Sequence, residues 1–241
     1  KGAGENNGLL IHGPAGVGKS CLAGKLIERL KEHKLLVIHG VLEKAAILHQ
    51  FGRLFDRCGI QAGIDILNDQ LEYEDRIKAL FRDVLNEVPT LLLFDDFEQN
   101  LERHGNDFQL KSNIIDTLKP ILIALDWSEG QTHLIITSRY LFNLEYQGQN
   151  LPDQYLTPIS LSSFRGPDLN KKIKELPHIS KSSHQTLYRE FGKGNPRLLE
   201  WLEQVAENEA KYNLEQLTTE IQGKNVEYIQ RYLADIIAET E

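Results

Sequence analysis

The stretch "GPAGVGKS", residues 13–20, has the spacing G-x-x-x-x-G-K-[ST]. Glycines at this spacing let a loop wind so that several backbone N–H groups converge on a phosphate. Gly13, Pro14, Ala15, Gly16, Val17 and Gly18 would form that cradle. A helix starting near Lys19 adds the positive end of its dipole. Lys19 would reach the β- and γ-phosphates of a nucleotide, and the Ser20 hydroxyl would ligate Mg²⁺. Cys21 follows inside the helix and is read as part of the same segment, packed rather than reactive.

A phosphate-bound Mg²⁺ needs a carboxylate at the carboxyl end of a neighbouring buried strand. "LLLFDDFE", residues 91–98, offers one: Asp95 stands where the apolar run stops and is the metal candidate. Asp96 and Glu98 follow, and either can orient or deprotonate an attacking water, with Glu98 favoured. In "IITSRY", residues 135–140, Arg139 closes another apolar run on what would be the same rim. An arginine there can touch a γ-phosphate and so separate triphosphate from diphosphate; an ordinary surface ion pair is the other reading.

These residues need a scaffold, and the hydrophobic pattern supplies one. Short apolar runs at 8–13, 35–40, 90–98, 132–140 and 154–162 read as buried strands. Helical patterns at 20–33, 43–57, 70–87 and 112–126 alternate with them. Strands apolar on both faces and alternating with helices predict an α/β fold, a parallel sheet with helices on both faces. Beyond Phe164 only helical patterns remain. The expected organisation is therefore a nucleotide-binding α/β domain over 1–163 and a small helical domain over 164–241. In the second, "REFGKGNPRLLEWLEQV" (189–205) breaks a helical pattern at Gly192, Gly194 and Pro196 and restarts it at once. Locally, Gly194 can end one helix, Asn195 can cap the next, and Pro196 suits its first turn.

Composition narrows the function classes. Of the formal charge of −8, −7 falls in residues 200–241, which hold ten acidic and three basic residues. No basic stripe of the kind that neutralises many phosphates is left, so a nucleic-acid-binding face is not expected. No apolar run of membrane-spanning length occurs, so no membrane partner is expected either. Two cysteines give no disulfide framework, which makes a cytoplasmic location the default. Eight scattered histidines lack metal-ligand spacing and read as ordinary polar or core residues, His12 among them as a strand-end residue. The sequence begins without methionine and ends inside a helical pattern, and is expected to be a piece of a longer protein.

Four stretches taken in order resemble the signal-transduction (STAND) branch of the P-loop NTPases, the NB-ARC- and NACHT-like AAA+ ATPase modules. They are "GPAGVGKS", "LLLFDDFE", "IITSRY" and "GNPRLLEWL" (194–202), and "YLTPISLSSF" (155–164) is similar to the strand that leads into that family's lid. The resemblance implies that Gly194 and Pro196 belong to a helical lid closing over the base side of an adenine nucleotide. It also implies ATP and ADP as the bound nucleotides, slow hydrolysis, and ADP-closed and ATP-open states. The full-length protein would form a homo-oligomer in the triphosphate state. An upstream effector domain and a downstream winged helix and repeat sensor would belong to that protein; "NVEYIQRYLADIIAE" (225–239) is the expected approach to the winged helix. Two other readings use the same loop: an AAA-type motor or loader acting on nucleic acid or protein, and a small-molecule phosphotransferase, which "DDFE" and a Gly-x-Pro lid fit poorly.

Overall fold

The computed structural model describes residues 7–105 and 107–238. Their contacts define two units. One joins the residues up to Gly13 with Lys19–Ser160; the other joins Pro14–Gly18 with the chain from Leu161 onward.

In the first unit the strands are β1 (Gly8–His12), β2 (Lys34–His39), β3 (Thr90–Asp95), β4 (Leu101–His104), β5 (Asp107–Leu110), β6 (Thr132–Ser138), β7 (Glu145–Tyr146), β8 (Gln149–Asn150) and β9 (Leu156–Ser160). Five of them form one sheet in the order β2-β3-β6-β1-β9, every neighbouring pair parallel. The other four make two small antiparallel hairpins, β4–β5 and β7–β8. The helices are α1 (Lys19–Arg29), α2 (Lys44–Cys58), α3 (Gln61–Asn68), α4 (Tyr73–Asp83), α5 (Ser112–Ala124) and α6 (Leu151–Tyr155).

Alternation along the strands sorts the core. Leu10, Leu36, Ile38, Leu92, Phe94, Leu134 and Ile136 face one side and pack with Phe51, Phe55, Leu80, Phe81, Leu118 and Ile121 from α2, α4 and α5. Each such buried side chain contributes about 1.5–3 kcal/mol relative to exposure. On the other face α1 lies over β1 and β6, and the fully buried Ala23 lets its backbone come close. β2 departs from the expectation of a buried strand: Leu35 and Val37 are 42% and 40% exposed. It is an edge strand, paired on one side alone with β3.

Other boundaries moved for local reasons. The expected strand 90–98 stops at Asp95, because Asp96 adopts a left-handed conformation (φ 55°) and a 3₁₀ turn, Phe97–Asn100, follows. The expected strand 154–162 shortens to β9 behind the helical turn α6, and Pro158 is tolerated because β9 is an edge. The expected helix 70–87 contracts to α4, and the short helix α3 lies beyond the expected elements. Gly63 in α3 is required by packing: a Cβ there would stand 2.5 Å from the Phe55 ring.

The second unit is helical through all its described residues beyond Leu161: α7 (Gly166–Lys174), α8 (Pro177–Lys181), α9 (Gln185–Gly192), α10 (Pro196–Glu207), α11 (Leu214–Ile221) and α12 (Val226–Ala238), with short 3₁₀ and turn connections. Its core is built on Tyr188, Phe191, Leu198, Leu202, Ile229 and Leu233. Between α9 and α10, Lys193 and Gly194 both take positive φ (47° and 70°). Asn195 then caps α10 by accepting from Leu198 N–H at 3.2 Å, and Pro196 occupies the first turn. Gly194 cannot be replaced cheaply, since a Cβ would lie 2.1 Å from the Phe164 carbonyl oxygen.

A buried amide ties the rim of the sheet together. Asn100 is fully buried, accepts from Leu42 N–H at 2.8 Å, and donates to the carbonyls of Gly40 at 2.9 Å and Phe97 at 3.1 Å. Removing it strands three buried backbone groups. Asn100→Ala is expected to lower stability by about 2–4 kcal/mol in urea denaturation. A loss below about 0.5 kcal/mol, the range of an ordinary surface substitution, would show that these groups find other partners.

Candidate nucleotide site

Parallel register decides which residues meet at the rim. Pairing aligns His39 with Asp95, Phe94 with Ile136, and Ser138 with His12, so the polar residues ending β2, β3, β6 and β1 share the carboxyl edge of the sheet. In open α/β sheets that edge is where ligands bind.

Asp95 is the hub of this edge. Ser20 Oγ, in the first turn of α1, donates to Asp95 Oδ1 at 3.0 Å and Oδ2 at 3.3 Å. Thr137 Oγ1, fully buried on β6, makes a short hydrogen bond to Asp95 Oδ1 and accepts from the Asp96 N–H at 3.2 Å. One hydroxyl thus orients the carboxylate and holds the left-handed turn behind it. His39 Nδ1 lies 3.5 Å from Asp95 Oδ2, and its Nε2 lies 3.1 Å from Asp96 Oδ2.

The donor set fits a magnesium ion. Ser20 and Asp95 place hard oxygen atoms side by side, and Mg²⁺ is usually held by one or two protein oxygens together with substrate phosphates and water. Among the described residues no group of three or more His, Cys, Asp or Glu could hold a metal by itself.

Lys19 is buried, and its ammonium donates to the Gly13 carbonyl at 2.9 Å. Burial pushes its pKa down. Glu98 pulls it back up, Arg139 adds to the lowering, and Asp96 and Asp95 oppose it. Glu98 and Arg139 are themselves paired: Arg139 Nε donates to Glu98 Oε1 at 2.8 Å, and the Arg139 backbone N–H donates to Oε2 at 3.2 Å. The structure therefore gathers Lys19, Ser20, Asp95, Asp96, Glu98 and Arg139 in one unit.

Pro14, Ala15, Gly16, Val17 and Gly18 belong to the other unit, with Gly194 and Pro196. There the Ala15 carbonyl accepts from Asn195 Nδ2 and the Gly16 carbonyl from the Arg197 N–H. Cys21 is exposed rather than packed as expected, since α1 buries Lys19 and Ala23 instead. His12 ends β1, and burial lowers its pKa. His39, Thr137 and Asn195 are contacts that motif reading left out of the site. The available signal was positional, each being a polar residue just where an apolar run or a helix ends or begins.

Thr137 can be tested without disturbing shape. Thr137→Val removes the hydroxyl from Asp95 and Asp96 and is expected to weaken Mg²⁺-dependent nucleotide affinity by about tenfold or more, whereas Thr137→Ser stays near wild type. The check is a Mg²⁺ titration of nucleotide binding with both variants. Equal affinity in the two would mean that Asp95 needs no help from β6.

The geometry has counterparts among known proteins. The model of the ATPase family associated with various cellular activities (AAA) matches residues 9–149, more than half of the chain. No curated protein matches the chain by sequence. Among solved structures, one that resembles it is a signal transduction ATPase with numerous domains (STAND) protein with a tetratricopeptide repeat sensor, PH0952 from Pyrococcus horikoshii. The TM-score is 0.57 at 14% identity, over 96% of this chain and 30% of that one, so the likeness is one of fold and the chain spans under a third of that protein. A parallel sheet in the order above, a phosphate-loop sequence at the end of β1 and a carboxylate at the end of β3 accord with the family match. The chain belongs to the ATPase family associated with various cellular activities.

Proposed function

We propose that this chain is the ATP-binding, slowly hydrolysing switch module of a signal-transduction ATPase, alternating between an ADP-closed and an ATP-open state. The observation that carries the reading is the Glu98–Arg139 pair. Both oxygens of the Glu98 carboxylate are engaged by the one residue Arg139. A carboxylate held in this way is not free to orient or deprotonate water. The same pairing keeps the Arg139 guanidinium from a γ-phosphate. One rearrangement would release both groups, and a site that must first rearrange supports a switch over a motor.

In this reading Lys19 and the cradle Gly13–Gly18 hold phosphate, Ser20 and Asp95 hold Mg²⁺, and Glu98 or Asp96 positions water. Cys21 contributes the first turn of the helix behind the loop. The turn of Gly194 and Pro196 meets the base side of the adenine nucleotide; the likeness to a STAND protein supports this assignment. A triphosphate-state homo-oligomer, effector and sensor domains elsewhere in the protein, and a cytoplasmic setting belong to the same proposal. No described helix is long and apolar enough to cross a membrane.

The test starts with the nucleotide content of the purified protein, read by denaturing it and separating the supernatant on an ion-exchange column. Near-stoichiometric ADP is expected, with ATP turnover well below about 1 s⁻¹, the low end for ordinary enzymes. Lys19→Ala should be purified empty, and Glu98→Gln should retain nucleotide while hydrolysing still more slowly. An empty wild-type site with brisk turnover, stimulated by a nucleic acid or protein polymer, would overturn the switch reading in favour of a motor or loader.

A further inference from the structure

In a phosphate-cradling loop the N–H groups turn inward, so the carbonyls of the same peptide units turn outward. Those carbonyls are strong acceptors that need partners. Within the second unit, the Ala15 carbonyl accepts from Asn195 Nδ2 at 2.8 Å and from Gln230 Nε2, on α12, at 3.3 Å. The next carbonyl, Gly16 O, accepts from the Arg197 N–H at 3.3 Å. Asn195 is fully buried, so its amide has no water to serve instead. Its two ends do different work: Oδ1 caps α10 through Leu198 N–H, while Nδ2 reaches across 180 residues of sequence to the loop.

Geometry makes this contact matter to the ligand side. A trans peptide holds its C=O and N–H antiparallel, and no described peptide bond is cis. Fixing the Ala15 carbonyl toward Asn195 therefore aims the Gly16 N–H the opposite way. A donor on the carbonyl also polarises the peptide and strengthens that N–H as a donor to an anion. Gly16 leaves room for the arrangement: its φ is +77°, and a Cβ there would stand 2.7 Å from both Asn195 Oδ1 and Gln230 Nε2.

We propose that Asn195, seconded by Gln230, is a positioning residue for nucleotide binding: its amide holds the outer carbonyl of the phosphate loop and thereby presents the Gly16 N–H to the phosphates. The proposal rests on the nucleotide-binding reading of the loop, and the test separates the two. Asn195→Asp and Asn195→Ser both keep an oxygen that caps α10, because Asp, Ser and Asn are nearly equivalent at that position. Neither can donate to Ala15 O: the carboxylate opposes it and the serine is too short.

The experiment measures dissociation of a fluorescent ADP analogue by stopped flow, with thermal melting of each variant as the folding control. Expected is a dissociation rate raised about fivefold to tenfold in Asn195→Ser and more in Asn195→Asp, with melting temperatures within about 2 °C of wild type. Gln230→Leu, which touches no cap, should move the rate in the same direction by less. Combined with Asn195→Ser its effect should fall short of the product of the single effects, since both donors serve one acceptor. If Asn195→Asp proves unstable, Asn195→Ser and Gln230→Leu decide. Wild-type rates in both, with wild-type binding intact and Lys19→Ala unable to bind, would overturn the positioning role alone. A wild-type protein that does not bind the analogue would overturn the nucleotide reading itself.

Discussion

Everything at the sheet edge depends on where β3 stops. Four apolar residues, Leu91 to Phe94, keep the strand buried, and Asp95 is the first side chain that can carry a charge. Its carboxylate is only 16% exposed, so most of its hydrogen-bond partners must come from the protein. Two hydroxyls donate to it, Ser20 from α1 and Thr137 from β6, and His39 from the end of β2 stands beside it. The left-handed turn at Asp96 follows from the same requirement. Without it the strand would run on, and the next carboxylate would not be carried to His39 while its N–H meets Thr137.

Charge balance around Lys19 follows from that fixed point. A buried ammonium is costly unless it is compensated, and Glu98, Asp96 and Asp95 all stabilise its charged form. Arg139 works against it, yet its guanidinium is directed at Glu98. The edge is therefore a cluster of two cations and three carboxylates, with His39 bridging two of the carboxylates. An incoming polyphosphate adds negative charge to such a cluster and favours any arrangement that turns both cations toward it. That is the electrostatic reason to expect Glu98 and Arg139 to part when nucleotide binds.

Much of this was legible in the sequence because the decisive residues are local to motifs. "GPAGVGKS" and "LLLFDDFE" each announce a strand end by a change from apolar to polar chemistry, and register needs only that parallel strands end on one rim. His39 and Thr137 were harder, since their roles depend on which strand neighbours which, and strand order is not written in any one stretch. β2 misled for a related reason: "LLVIHG" is equally apolar at the centre or the edge of a sheet, and only the neighbours decide. The grouping of Pro14–Gly18 with the helical unit had no sequence signal, because contacts such as those from Asn195, Arg197 and Gln230 leave no periodic pattern.

Magnitudes limit how a switch could be built from these parts. Moving a two-state equilibrium from 1:99 to 99:1 takes about 5.5 kcal/mol of differential affinity. The Glu98–Arg139 pair cannot supply that, since Arg139 is 39% exposed and such pairs are worth about 0–1 kcal/mol. Breaking it is therefore a small obstacle: a pair of that strength withholds Glu98 and Arg139 by no more than about fivefold in population. In the proposed switch, larger differences between triphosphate and diphosphate would have to come from other contacts, the Lys19 ammonium and the shared oxygens of Ser20 and Asp95 among them. A loop whose carbonyls are already held from behind loses less entropy when those N–H groups bind an anion, so more of each contact appears as affinity.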